Sequence, residues 1–432
     1  GCCGSTPEYI GTLIEALADV TPRVREPQRI PAVTSTYSPV SLHQDTSFLI
    51  IGERTNANGS RAFRDAMLEG DIDACIAIGE GQVAEGAHLV DLCVDYVGRD
   101  GAEDIGPIAA RFATEITAPV VIDSTEPPVM QAALERIGGR CVLNSANLED
   151  GEAEGSRLDR VLSLAKEHGA AVICLLIDER GQARDIEWKM EVAHRLHDIA
   201  TTRYGLEPED LIFDPLTFPL STGDDDLRRD AMATIEAIRR IKAELPGAST
   251  VLGVSNVSFG LKPAARRVLN SVFLHECIEA GLDAAISHAA KITPLNQIDG
   301  DHLEACLDLI YDRTSEGYDP LETLLTAFDD EAPQQKADPF ERMNLVQRLA
   351  ARIVMGNANG MDDDLDEALA DLPAMAIIND VLLDGMKTVG ELFASGEMQL
   401  PFVLRSAQTM KGAVRYLEPH LDKADDAERG SI

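Results

Sequence analysis

From Phe48 onward, short β-branched or leucine-rich runs alternate with amphipathic stretches about two to four turns long, the rhythm of parallel strands joined by helices. The runs read FLIIG, HLV, APVVI, RCVL, AAVICLLI, DLIF, TVLGVS and, before Ser287 and His288, LDAAI. Eight such units over roughly 250 residues predict a TIM (β/α)8 barrel, whose chemistry sits at the C-terminal strand ends. A doubly wound sheet is the rival, but no GxGxxG follows the first run. The first seven runs lead into Glu53, Asp91, Asp123, Asn144, Asp178, Asp214 and Asn256, and from Asp91 onward these lie 32, 21, 34, 36 and 42 positions apart, one βα unit each. Carboxylates and amides gathered at one mouth suit a flat, amino-rich heterocycle, because a carboxylate accepts from a ring N–H and a neighbouring amino group together. A single Asp after a strand is more often a turn or helix cap; a set of them at corresponding positions favours a ligand.

The flanks follow other patterns. Residues 11–20 fit a short helix, and residues 21–46, with four prolines and no helical period, read as an extended linker. The barrel is expected over 47–328, followed by a second linker at 329–338, DDEAPQQKAD. Residues 339–424 then carry only helical periods. One helix is expected from Pro339 at its first turn to about Val354, then an acidic one near 365–372, a long one through Ile378, Leu382, Met386, Val389 and Phe393, and a last one from Leu400. Four helices with short connections make a small bundle. The polar tail, 425–432, is expected to fray.

Composition narrows the partners. The chain is 432 residues long, 45% hydrophobic, and carries a net charge of -36 at pH 7. That apolar content supports a large core, and that charge argues against nucleic acid and against anionic membranes. No run approaches the roughly 20 apolar residues of a membrane span and no signal peptide is visible, so a cytoplasmic location is expected. Cys75, Cys93, Cys141, Cys174, Cys277 and Cys306 are scattered through apolar segments as reduced cysteines would be. Cys2 and Cys3, in the opening GCCGSTPE, are two thiols where a zinc site needs three or four ligands.

The segments IGERTNANGSR, VIDST, VLNSAN, LIFDP and GVSNVSFG resemble the pterin-binding family, which holds dihydropteroate synthases, the corrinoid iron-sulfur protein methyltransferases and the folate domains of cobalamin-dependent methionine synthases. The stretch LLDGMKTVGELFASGEMQLPFVLRSAQTMKGAVRYLEP resembles the cap over cobalamin in the last of these, and GCCGSTPE resembles the end of their homocysteine domain. The resemblance implies that Asp123, Asn144 and Asp214 grip the pterin edge and that Asn256 sits near N5. It implies that Gly59, Ser60 and Arg61 touch substrate, and that Lys262 and Arg266 meet a folate glutamate tail. In the cap, Phe393 and Leu400 match the pair over the corrin, and Asn379 falls where the family can carry a Glu. Asp91 is a weaker match, since Asp91-Leu92-Cys93 stands where the family often reads DxN.

The reaction so implied moves the methyl of 5-methyltetrahydrofolate to cob(I)alamin, with Asp123, Asp214 and Asn256 as the catalytic group. Residues 1–20 would be the remnant of a homocysteine domain whose zinc takes Cys2 and Cys3 plus a third upstream thiolate. The chain is thus expected to be an internal fragment, partnered by the homocysteine and cobalamin domains of one longer polypeptide. Two alternatives stand beside this: a dihydropteroate synthase-like pterin enzyme, and a folate-binding docking module inactive without its corrin domain.

Overall fold

The computed structural model describes residues 4–21, 23, 30–44, 48–222, 227–288, 291–329, 340, 343–394, 398 and 400–421. Two compact units are present, residues 1–30 and 31–432. In the first, a helix spans Pro7–Ala16, with the Thr6 hydroxyl accepting from the Tyr9 amide at its start.

The second unit contains a closed barrel of eight parallel strands: β1 (Leu49–Gly52), β2 (Leu89–Leu92), β3 (Val120–Asp123), β4 (Val142–Ala146), β5 (Ala171–Leu175), β6 (Leu211–Asp214), β7 (Ser249–Gly253) and β8 (Ala284–Ile286). All eight expected runs supply a strand. Side chains alternate between the interior and the helical layer, as the two-residue strand period requires. Leu49, Ile51, Leu89, Val121, Val142, Ala171, Ile173, Ile212, Val251 and Ala284 fill the interior together. Their neighbours Ile50, Val90, Val120, Ile122 and Leu143 face the helices.

The stretch expected as an extended linker contains a hairpin instead, Ala32–Thr34 paired antiparallel with Pro39–Ser41. Val33 and the following Leu42, both essentially inaccessible, join the interior cluster and seal it from the end opposite the strand C-termini. Burial of each contributes about 1.5–3 kcal/mol. The hairpin is tied to the barrel by Thr34 and Arg140, which exchange backbone hydrogen bonds of 3.0 Å, and by the Ser35 hydroxyl on the Thr117 carbonyl at 2.7 Å. Gly139 (φ +93°) permits that approach, because a Cβ there would lie 2.3 Å from the Thr34 carbonyl oxygen.

The C-terminal helices span Leu345–Met355, Met361–Leu369, Leu383–Ala394 and Leu400–Leu417. The first begins later than the proline pattern suggests. Asn344 caps it in a reciprocal box with Gln347, and Pro339 lies outside the described residues. The third is preceded by a helical turn Ala374–Ala376 and a π-helical segment Ile377–Leu382. The buried Arg352 holds Asp364 at 2.6 Å and stacks on Phe340 at 4.2 Å, beside a bundle core of Leu349, Ile353, Leu365, Ile377, Leu382 and Leu417. Ile292, after β8, packs on Val389 and Met398, and the Gln408 amide donates to the Ala84 carbonyl at 3.0 Å, so the bundle rests on the barrel's flank. Among the described residues no helix is long and apolar enough to cross a membrane.

Candidate functional site

Strand parity builds the site. Continuing the inward phase of each strand by one step, Leu49 and Ile51 lead to Glu53, Leu89 to Asp91, Val121 to Asp123, Val142 to Asn144 and Ile212 to Asp214. The last inward position is therefore polar on five of the eight strands, on top of an apolar interior, and Asp123 stands directly beside Asn144 in the β3–β4 register. The same parity corrects the assignment of Asp178. The inward residue ending β5 is Leu175, while Asp178 belongs to a small hairpin, Ile177–Asp178 with Gly181–Gln182. There it takes Arg180 Nη2 at 2.7 Å and the Trp188 indole at 2.9 Å. Its role is structural.

Asn56, to which the sequence assigned no role, joins the rung to the loop after β1. Its amide nitrogen donates to Asp91 Oδ2 at 2.8 Å and to Asp123 Oδ2 at 2.9 Å. Its amide oxygen accepts from the backbone of Asn58 at 2.9 Å and Gly59 at 3.2 Å. One side chain thus couples two carboxylates to the stretch Gly59-Ser60-Arg61. Ser60 caps the helix Arg61–Glu69 through the Phe63 amide at 3.3 Å, and exposed Arg61 pairs with Asp65 at 3.3 Å. Both side chains are thereby engaged in the local helix.

Burial dominates the electrostatics. It pushes the Asp123 carboxyl up to about 6, helped by the Asp95 charge and opposed by the Asn56 amide. It pushes Asp214 up to about 6 as well, against the Leu216 amide, which donates to Asp214 Oδ1 at 2.8 Å, and against the Lys189 charge. Asp91, 2% exposed, is raised well above the usual carboxylate range, first by burial and then by Asp123. Its Oδ1 is enclosed with no hydrogen-bond partner. Glu53, also raised by burial, feels Lys291 and Arg266 across the mouth.

The remaining expected residues lie around the rim. Asn256 is exposed in the 3-10 turn Val254–Ser258 after β7, and its amide nitrogen is 3.6 Å from where a Cβ on Gly253 would be. The inward position of β7 is a glycine, which leaves space for that amide. Lys262 is the N-cap of the helix Pro263–Glu279, and half-buried Arg266 reaches back to Ser258 Oγ and the Ser255 carbonyl, both at 3.2 Å. The structure brings Asp123, Asn144 and Asp214 to one mouth, with Asn256 and Arg266 on the β7 side of it. In the bundle, Asn379 is exposed within the π-helical segment, Phe393 is half-buried near the end of its helix, and Leu400 begins the last helix with its side chain outside the described residues. Cys2 and Cys3 lie outside the described residues, and among those described no three His, Cys, Asp or Glu gather as metal ligands.

The chain is 52% identical over 430 residues to a methionine synthase of Mycobacterium tuberculosis (strain ATCC 25618 / H37Rv), covering 99% of this chain and 36% of that protein. A methionine synthase of Mycobacterium leprae (strain TN) is 52% identical over 434 residues, covering 98% of this chain and 36% of that protein. The chain thus spans about 36% of the length of these curated relatives. Among solved structures, a Xanthomonas albilineans dihydropteroate synthase in complex with 7,8-dihydropteroate superposes with a TM-score of 0.43 at 17% identity, over 60% of this chain and 92% of that one. Residues 345–418 match a B12 binding domain. Residues 52–288, more than half of the chain, match the family described as pterin binding enzyme, and the chain belongs to that family.

Proposed function

We propose that the chain binds 5-methyltetrahydrofolate at the barrel mouth and passes its N5 methyl to cob(I)alamin, as the folate and cap segments of a longer enzyme of cobalamin-dependent methionine synthesis. The observation that carries this reading is the polar rung of Asp123, Asn144 and Asp214 above an otherwise apolar barrel. Asp214 and Asp123 accept from the N–H groups of the pterin pyrimidine, and Asn144 supplies both a donor and an acceptor to its edge. Asn56 fixes one Asp123 oxygen and leaves the other for ligand. Asn256 orients N5 or a water that protonates it, because a tertiary amine leaves only as it gains a proton. The loop Gly59-Ser60-Arg61 borders the ring, and Lys262 with Arg266 provides positive charge for a glutamate tail.

The bundle suits a flat, largely apolar partner. Met375 (55% exposed), Asn379 and Leu383 (47% exposed) recur every four residues as an exposed strip. Asn379, Phe393 and Leu400 are the residues that would hold cobalamin, which when bound supplies the nucleophile that accepts the methyl. The homocysteine domain, with a zinc that takes Cys2 and Cys3, and the corrin domain are the partners this reading assigns to the longer polypeptide. Calorimetry with 5-methyltetrahydrofolate tests the folate half: the unsubstituted chain binds and Asp214→Ala loses affinity. Absence of binding heat in the unsubstituted chain refutes the reading.

A further inference from the structure

Lys189 has no part in the proposed binding of folate, yet it sits in the first turn of the helix Ile186–Asp198 and is fully buried. Its ammonium donates to the Ala183 carbonyl at 2.9 Å and to the Pro215 carbonyl at 2.5 Å, the latter belonging to the residue directly after Asp214. It also lies 5.3 Å from the centre of the Phe218 ring, which Arg184 covers at 4.2 Å. Arg184 in turn holds the nearly inaccessible Asp230 at 2.7 Å. The turn so gripped is unusual: Leu216 is left-handed (φ 64°), its amide donates to Asp214 Oδ1, and the Thr234 hydroxyl holds its carbonyl at 2.7 Å. A core needs no ammonium here, since a methionine fills similar volume without the desolvation penalty.

We propose that Lys189 is a positioning residue for Asp214: it fastens the turn that aims the Asp214 carboxylate and supplies the counter-charge that keeps this carboxylate ionised for an amino-rich heterocycle. The inference rests on the pterin reading of the mouth. The charged groups that face the pair are Asp230 from the helix Asp230–Glu244, Arg184 from the loop before Lys189's own helix, and Asp185 at that helix's N-cap. Lys189, Arg184, Asp214 and Asp230 sum to zero charge when all are ionised. Burial lowers the Lys189 ammonium to about 8, with Asp230 and Asp214 acting upward, while Asp214 stands at about 6. Between those two values both partners carry charge, which is the state an N–H-rich ligand edge requires.

The test measures 5-methyltetrahydrofolate affinity by calorimetry from pH 5.5 to 9 in the unsubstituted chain and in Lys189→Met. Removing the counter-charge moves the acid limb upward by about one pH unit, so affinity falls about twofold at pH 7 and about eightfold at pH 5.5. At pH 8.5 the two proteins converge. A loss equal at every pH, or an unmoved limb, overturns the proposal, because a merely structural lysine would behave that way. Should the variant not fold, the unsubstituted protein is followed by 13C NMR of labelled aspartate, with Asp214→Asn assigning the signal. Asp214 must titrate in two steps, the main one near 6 and a smaller one near 8 as Lys189 deprotonates. A single step overturns the pairing. Absence of folate binding at every pH, with the two steps present, removes the pterin reading and supports the pairing.

Discussion

Asp214→Asn should stabilise the ligand-free chain while destroying its affinity for folate. Burial raises the carboxyl from an ordinary 3.8 to about 6, so the folded protein holds this proton more tightly than the unfolded chain does. The sign is the reverse of the usual salt-bridged aspartate. Folding is penalised above pH 6, the penalty shrinks as pH falls through 6, and it vanishes below 3.8. A difference of about two pH units corresponds to about 3 kcal/mol at pH 7, and to about half of that at pH 5. The amide keeps the oxygen that accepts from Leu216 and forfeits the charge, which also takes one counter-charge from Lys189, so a smaller net gain of about 1 kcal/mol is expected at pH 7. Urea denaturation at pH 7 and pH 5, combined with calorimetry of 5-methyltetrahydrofolate, reads both sides. The reasoning fails if Asp214→Asn is less stable at pH 7 than the unsubstituted chain, or if it binds folate undiminished. Stability gained together with function lost is the behaviour of a group held at a cost for its chemistry.

Three further outcomes follow from the geometry. Asn56→Ala leaves Asp91, Asp123 and two loop amides without their common partner, and should weaken folate binding at least tenfold with the thermal midpoint little changed; calorimetry and melting check this. Asp364→Ala strands the buried Arg352 guanidinium and should cost about 3–5 kcal/mol in the bundle, read as a lowered denaturation midpoint with folate affinity retained. Phe393→Ala should weaken association of added cobalamin with the bundle, seen as a reduced change in its absorbance spectrum; an unchanged spectrum would remove Phe393 from that surface.

The barrel was legible because strand period and strand spacing are both local signals, and the eight runs carry few polar interruptions. The polar rung was legible in part. Asp123 and Asp214 end their strands in the inward phase, whereas Asp178 shares the run but sits beyond Leu175, past the point where the chain leaves the sheet. Run composition shows where apolar sequence stops, and only parity shows which side the next residue faces. The hairpin of residues 32–41 was hidden because its strands are three residues long and one begins with Pro39. Its two apolar plugs, Val33 and Leu42, form no periodic pattern. Asn56 and Lys189 were missed for another reason. A lone polar residue in a loop or in the first turn of a helix carries no spacing signal, and its role comes from partners 35, 67 and 26 positions away.

The proposed reaction moves a methyl group from folate held at the barrel mouth to cobalamin. Mixing it with 5-methyltetrahydrofolate and exogenous cob(I)alamin, and following absorbance, should show methylcobalamin forming at a rate that saturates with folate. Asn256→Ala should lower that rate far more than it lowers folate affinity. Folate that binds while no methylcobalamin forms at any cob(I)alamin concentration, or a rate untouched by Asn256→Ala and Asp214→Ala alike, would contradict the account.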